Sequence, residues 1–130
     1  MYRPQIKVLD CTVRDGGLLN KHQFSFEFVR KIYEALAVAG VDYMEAGYKN
    51  SDKLFSRDEF GIWKFCDDDI LWRLKDGIEN GPKMSVLVDI GRADMHSIKK
   101  ASESPYEMVR VATYAKDIDK CIVLVNTFHE

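Results

Sequence analysis

The sequence predicts an α/β protein in which four βα units follow one another and their strands lie parallel in one sheet. Three observations lead to this. Short apolar runs alternate with amphipathic segments along the whole chain, the order that a parallel sheet with right-handed crossovers requires. The run from Met84 to Ile90 is almost unbroken in its apolarity, as expected of a strand buried on both faces. The segments leaving the first two strands are long, about 14 and about 20 residues, where roughly 2–6 is usual. Long loops at the carboxyl ends of strands mark the active-site face both in a doubly wound sheet and in an eight-stranded βα barrel. Periodicity alone leaves these two architectures open.

The elements follow in order. Ile6 to Cys11 reads as the first strand, and it runs into Arg14-Asp15-Gly16-Gly17, a tight turn by composition. Ser25 is placed to cap a helix whose apolar positions Phe28, Val29, Ile32, Tyr33, Leu36 and Ala37 keep helical spacing, and Gly40 stands where such a helix ends. Val41 to Gly47 is the second strand. Asp67-Asp68-Asp69 puts negative charge at the start of a second helix carrying Ile70, Leu71, Leu74 and Ile78, which Asn80-Gly81-Pro82 stops. The third strand, Met84 to Ile90, leads to a third helix over Asp94 to Ser102. Glu107 to Thr113 is the fourth strand, and a last helix from Asp117 has Cys121, Leu124, Val125 and Phe128 on one face. Trp63, Phe65 and Trp72 read as core. No linker divides the chain, so residues 1–130 are expected to form one domain.

Composition narrows the function classes. With 46% hydrophobic and 31% charged residues, a net charge of -2 and a pI near 5.9, the chain has no basic field for nucleic acid or an anionic membrane. No apolar run is long enough to span a bilayer, and the N-terminus lacks a signal-peptide pattern. Cys11, Cys66 and Cys121 are odd in number and widely spaced, which fits a reduced, cytoplasmic protein better than a disulfide framework or a zinc knuckle.

Candidate chemistry gathers at the strand ends. At the end of strand one, the Asp15 carboxylate can hold a hard divalent cation, and the Arg14 guanidinium can stabilise an oxyanion forming on a bound carbonyl. A solvated charged turn would read the same from the tripeptide alone. Lys49, with Lys53 and Arg57, sits on the long loop after strand two among Tyr48, Phe55 and Phe60 and can hold an anionic substrate; a solvated loop with aromatic anchors is the plainer alternative. Asp89 ends strand three facing the same loops. The stretch Asp89-Ile90-Gly91-Arg92-Ala93-Asp94 lacks the glycine spacing of a dinucleotide fingerprint.

The stretches LDCTVRDGG, HQF, AGVDYMEAGY, MSVLVDIG and YEMVRVATYAKDID resemble the N-terminal half of the catalytic domain in the aldolase and acyltransferase superfamily of metal-dependent βα barrels. This is the group of 4-hydroxy-2-oxoacid aldolase and hydroxymethylglutaryl-CoA lyase. The resemblance implies half of a (β/α)8 barrel, and carbon–carbon bond cleavage or formation on a 2-oxoacid through an enolate. It implies a Mg²⁺ or Mn²⁺ cofactor, with Asp15 as metal ligand and Arg14 as enolate stabiliser. Glu45 falls where members carry an acidic residue near the metal, and His22 matches the second histidine of their motif. Leu18 occupies the place of the catalytic histidine found in the family's aldolases. The His-x-His pair that completes their metal site has no counterpart in this chain, so metal binding by the chain alone is expected to be weak.

A complete barrel of this kind needs roughly 250 residues. The chain is therefore expected to be the N-terminal part of a longer parent, with open sheet edges that favour self-association. The competing expectation is a non-catalytic α/β module that binds a small anion or a partner.

Overall fold

A computed structural model describes residues 3–129. Four strands, β1 (Leu9–Asp10), β2 (Tyr43–Tyr48), β3 (Lys83–Asp89) and β4 (Met108–Ala112), form one sheet in sequence order, with every neighbouring pair parallel. Four α-helices, α1 (Thr12–Gly16), α2 (Phe26–Ala39), α3 (Asp68–Lys75) and α4 (Ile118–His129), lie between and after them. A sheet of neighbouring parallel strands in chain order is the arrangement of half a βα barrel. A doubly wound sheet would reverse its strand order at a switch point.

Several elements form for the reasons the sequence supplies. The Ser25 hydroxyl accepts a 3.2 Å hydrogen bond from the amide of Phe28, and Gly40 ends α2 in the left-handed conformation at φ 70°. Arg30 of α2 donates to the carbonyls of Arg73 and Leu74, at 3.1 and 3.0 Å. It thereby satisfies acceptors that the end of α3 leaves open. The Tyr33 hydroxyl donates to the carbonyl of Pro82.

Four expectations need correction. The first strand pairs only over Leu9–Asp10, because the preceding residues are exposed beyond the edge of β2. The glycine-rich stretch after it is not a tight turn but a short helix: Arg14 and Asp15 lie on α1. The third helix does not form. Residues 94–102 make two isolated 3-10 turns, Met95–Ser97 and Ala101–Glu103, because the Asp94 carboxylate takes the amide of His96 and nucleates a local turn instead of a helix. Trp72 is 50% exposed, since Leu71 and Leu74 occupy the inward face of α3 and turn position 72 outward.

The pleat sorts the sheet into two faces. Met44, Met84 and Val86 bury in one cluster with Val29 and Tyr33 of α2 and Leu71 and Leu74 of α3, and Val88 on the same face is also fully buried. The opposite face takes the alternate residues. Glu45 pairs with Ser85 and Leu87 with Arg110, so Glu45, Ser85, Leu87 and Arg110 share one side. The helix-side face is apolar, and the barrel-side face carries charge.

Candidate active site

The barrel-side face is organised by one carboxylate. Glu45 sits in the middle of β2, fully buried, and two guanidiniums converge on it. Arg14 Nε lies 2.6 Å from Glu45 Oε1, and an Arg110 terminal nitrogen lies 3.1 Å from each carboxylate oxygen. The Ser85 hydroxyl stands 3.5 Å from Oε2, and the Cys11 thiol 3.7 Å from Oε1. A buried carboxylate is tolerable only with such partners. Arg14 in turn touches the Asp15 carboxylate. Glu45, helped by Asp15 and opposed by burial, keeps the Arg14 guanidinium fully charged. Burial and the negative Glu45 hold the Cys11 thiol above its usual range, so Cys11 is a neutral wall of this cluster.

Of the residues singled out from the sequence, Arg14, Asp15 and Glu45 therefore meet. Asp15 is 60% exposed on its side chain and projects from the cluster toward solvent. Asp89 ends β3 at the same end of the sheet and is 3.6 Å from Arg92. It also lines a groove of about 460 Å³ with Met95, Lys120 and Val123 of the flanking loop and α4. Lys49 is committed elsewhere: its buried ammonium lies 2.6 Å from Asp68 and over the ring of Tyr106.

His22 is buried deeply by a tight turn. Lys21 and His22 both adopt the left-handed conformation, at φ 56° and 60°, and the His22 amide donates to the Gly17 carbonyl. Its ring stands edge-on to Tyr48 with centroids 5.3 Å apart. A Cβ on Gly17 would collide with Nδ1, so glycine is what admits the ring. Burial first, and then the positive charges of Lys64 and Arg14, lower the imidazole pKa to about 4. His22 is thus neutral near pH 7. Leu18 is exposed and carries no titratable group.

Three residues of this region escaped the sequence reading as site residues. Arg110 had a signal: a cation in the middle of the apolar run Met108-Val109-Arg110-Val111-Ala112 has to face something charged. Tyr48, taken for a loop aromatic, is the last residue of β2. Its hydroxyl is reached by Arg14, and burial pushes its pKa upward. Lys64, buried beside Tyr48, gave no pattern at all.

As to metal, no group of three or more His, Cys, Asp or Glu side chains able to hold an ion occurs among the described residues. One exposed carboxylate does not make a cage for a hard divalent cation, which takes six or more oxygens.

The fold and the site together describe an aldolase-type βα half-barrel with a charged inner face. The comparison with known proteins agrees: the profile of the HMGL-like family matches residues 5–129, and the chain belongs to that family. It is 32% identical over 115 residues to a 4-hydroxy-2-oxovalerate aldolase of Moorella thermoacetica, covering 88% of this chain and 33% of that protein. A second, from Rhodococcus jostii, is 30% identical over 118 residues, 90% of this chain and 32% of the relative. The chain thus spans about a third of the length of these curated relatives. Among solved structures, it superposes on the N-terminal domain of a provisionally assigned aldolase from Bacteroides vulgatus with TM-score 0.77 and 26% identity, over 95% of this chain and 42% of the other. No helix among the described residues is long and apolar enough to cross a membrane.

Proposed function

We propose that these four βα units supply the enolate-stabilising half of an aldolase or lyase active site acting on a small 2-oxoacid. The observation that supports this is the buried Glu45 carboxylate holding Arg14 and Arg110 side by side on the barrel-side face. When the bond between C3 and C4 of a 4-hydroxy-2-oxoacid breaks, its electron pair moves into an enolate and negative charge grows on the C2 oxygen. A fixed guanidinium next to that oxygen lowers the barrier because it need not reorient during the step. Glu45 provides the fixing for Arg14, and Arg110 adds a second cation suited to the substrate carboxylate. The Tyr48 hydroxyl, kept protonated by burial, is a hydrogen-bond donor at the same place.

Asp15 is offered as one ligand of a Mg²⁺ or Mn²⁺ ion. The residues of this chain do not fit such an ion by themselves, so weak binding follows unless the substrate or further protein adds ligands. In this reading residues 1–130 act as the N-terminal half of a larger catalytic domain in the cytoplasm, and open edges at β1 and β4 support pairing with another half-barrel or a second copy. A non-catalytic anion-binding module is the second reading. The exposed Leu18 and the buried, neutral His22 favour it, since neither is placed to take a proton from the substrate hydroxyl.

Titrating Mn²⁺ in the presence of oxalate or pyruvate tests the assignment. Binding should weaken in Asp15→Asn and fall away in Arg14→Ala. Mn²⁺ binding unchanged by Asp15→Asn would remove that residue from the metal, and oxalate binding unchanged by Arg14→Ala would end the enolate role.

A further inference from the structure

The groove of about 460 Å³ between the turn after β3 and α4 is lined by none of Arg14, Glu45 and Arg110. Ile90, Ala93 and Met95 form one wall, and Val123 and Leu124 form the other. Space of this size, mostly apolar with a few polar groups, is what a small ligand needs. Met95 is 39% exposed and Val123 67%, so these walls are uncovered. Gly91 turns the chain at the rim in the left-handed conformation, at φ 77°. Nothing stands within 4 Å of where its Cβ would be, so the mouth is open there.

One polar group of the groove is left uncommitted. The Lys120 ammonium is paired with Asp117 at 2.8 Å, and the Thr127 hydroxyl donates to the Val123 carbonyl at 3.0 Å. The Asp89 carboxylate, by contrast, receives no hydrogen bond among the described residues. Arg92, the cation paired with it, stands 3.6 Å away on a side chain that is 57% exposed. That separation exceeds hydrogen-bond length, and so exposed a pair contributes little. These features define the ligand. The apolar walls suit an aliphatic stem, and a carboxylate backed by apolar surface favours a positively charged hydrogen-bond donor. A lysine side chain divides its chemistry in the same way, between an apolar stem and a charged head. An anion is repelled by Asp89, so the groove does not suit the oxoacid.

We propose that this groove binds a short primary alkylammonium ion, whose nitrogen donates to the Asp89 carboxylate while its chain lies between Met95 and Val123. Binding is reversible and forms no covalent bond. Arg92 competes with the ligand for the same carboxylate and, being exposed, can swing away into solvent. The site uses neither Arg14, Glu45 nor a metal, so it stands apart from the enolate chemistry.

The test is a titration with n-hexylamine near pH 7, followed by NMR of protein carrying carbon-13 in its methionine methyl groups. The Met95 signal, assigned through Met95→Leu, should shift saturably, while those of the fully buried Met44 and Met84 stay in place. Each methylene removed from the amine should weaken binding by up to about fourfold. Hexanoate should bind far more weakly than hexylamine, and hexanol should fall between them. Asp89→Asn should weaken hexylamine on the order of tenfold, whereas Arg92→Gln should tighten it by about twofold, because the competing cation is gone. The comparison of the three ligands in the unmodified protein holds even if a variant fails to fold. No saturable Met95 shift, hexanoate binding as tight as hexylamine, or indifference to Asp89→Asn would each overturn the proposal. A lysine from a second copy has the same chemistry. Its docking would move the Met95 signal with protein concentration alone and double the mass in sedimentation, which would overturn the choice of a small ligand.

Discussion

Arg14 and Glu45 are joined by a 2.6 Å contact between Nε and Oε1 although 31 positions separate them in the chain. The contact ties α1 to the middle of β2. Because Arg110 of β4 reaches the same carboxylate, a single side chain links α1 with the second and fourth strands of the sheet.

Removing that carboxylate should therefore cost more than a surface charge would. Glu45→Ala leaves Arg14 partly buried with no partner at its Nε and Arg110 without its anchor. Breaking a buried pair typically costs 3–5 kcal/mol, but Arg110 is partly exposed, so about 3 kcal/mol is expected here. Urea unfolding measures it. Glu45→Gln, which keeps the shape and one acceptor, should cost less and yet weaken oxalate binding nearly as much, because the guanidiniums would be free to turn. If both variants bound oxalate as well as the parent chain, Glu45 would not position them.

His22 makes stability depend on pH in a stated direction. Its folded pKa, about 4, lies below the ordinary histidine value, so between the two the unfolded chain holds the proton and the folded chain does not. Stability from this group is complete above about pH 6.5 and falls as pH drops toward 4, by on the order of 2–3 kcal/mol in total. Urea midpoints measured from pH 7 to pH 4.5, with His22→Phe as control, should show the loss in the parent and a shallower slope in the variant. Equal slopes would mean that His22 titrates normally.

The same residue explains a glycine. Gly17 has ordinary helical backbone angles, so alanine there meets no backbone penalty. The His22 ring fills the space a Cβ would need. Gly17→Ala should destabilise by about 1–3 kcal/mol through overpacking, and Gly17→Ala combined with His22→Ala should show a clear favourable coupling. Additive effects would place the cost elsewhere.

How far the sequence revealed all this depends on the range of the forces involved. Local signals survived: the Ser25 cap, the Gly40 terminator and the apolar run of β3 each act within a few residues, and each is where it was expected. Arg14, Asp15 and Glu45 could be picked out because strand ends and a recognisable motif placed them. What failed depended on distant partners. The first strand shrank to two residues because its length is set by β2, not by its own apolarity. Residues 94–102 kept to turns because the Asp94 carboxylate takes the His96 amide and the Ser97 hydroxyl donates to the Asp94 carbonyl, both local alternatives to helical bonds. Lys64 was invisible because its surroundings come from Tyr48 at the end of β2 and from Phe55 and Phe60, which the loop's own course brings against it.

The two tryptophans give the sharpest contrast between pattern and packing. Both are large, apolar and near a helix start, and sequence spacing treats them alike. Trp63 is fully buried, and its ring nitrogen donates to the Phe24 carbonyl at 3.0 Å. Gly47 supports that placement, because a side chain there would run into the Trp63 carbonyl and the Cys66 sulfur. Trp72 stands half in solvent beside Lys75 on the outer side of α3. Trp63→Ala should cost about 3–5 kcal/mol, from lost burial, an empty cavity and an unpaired carbonyl. Trp72→Ala should remain within about 1 kcal/mol, since only its partial burial and a weak contact with Lys75 are lost. Fluorescence can separate the two: iodide should quench the emission of Trp63→Ala, which keeps the exposed ring, far more than that of Trp72→Ala. Equal quenching and equal cost would mean that the loop carrying Trp63 opens readily, and with it the enclosure around Lys64.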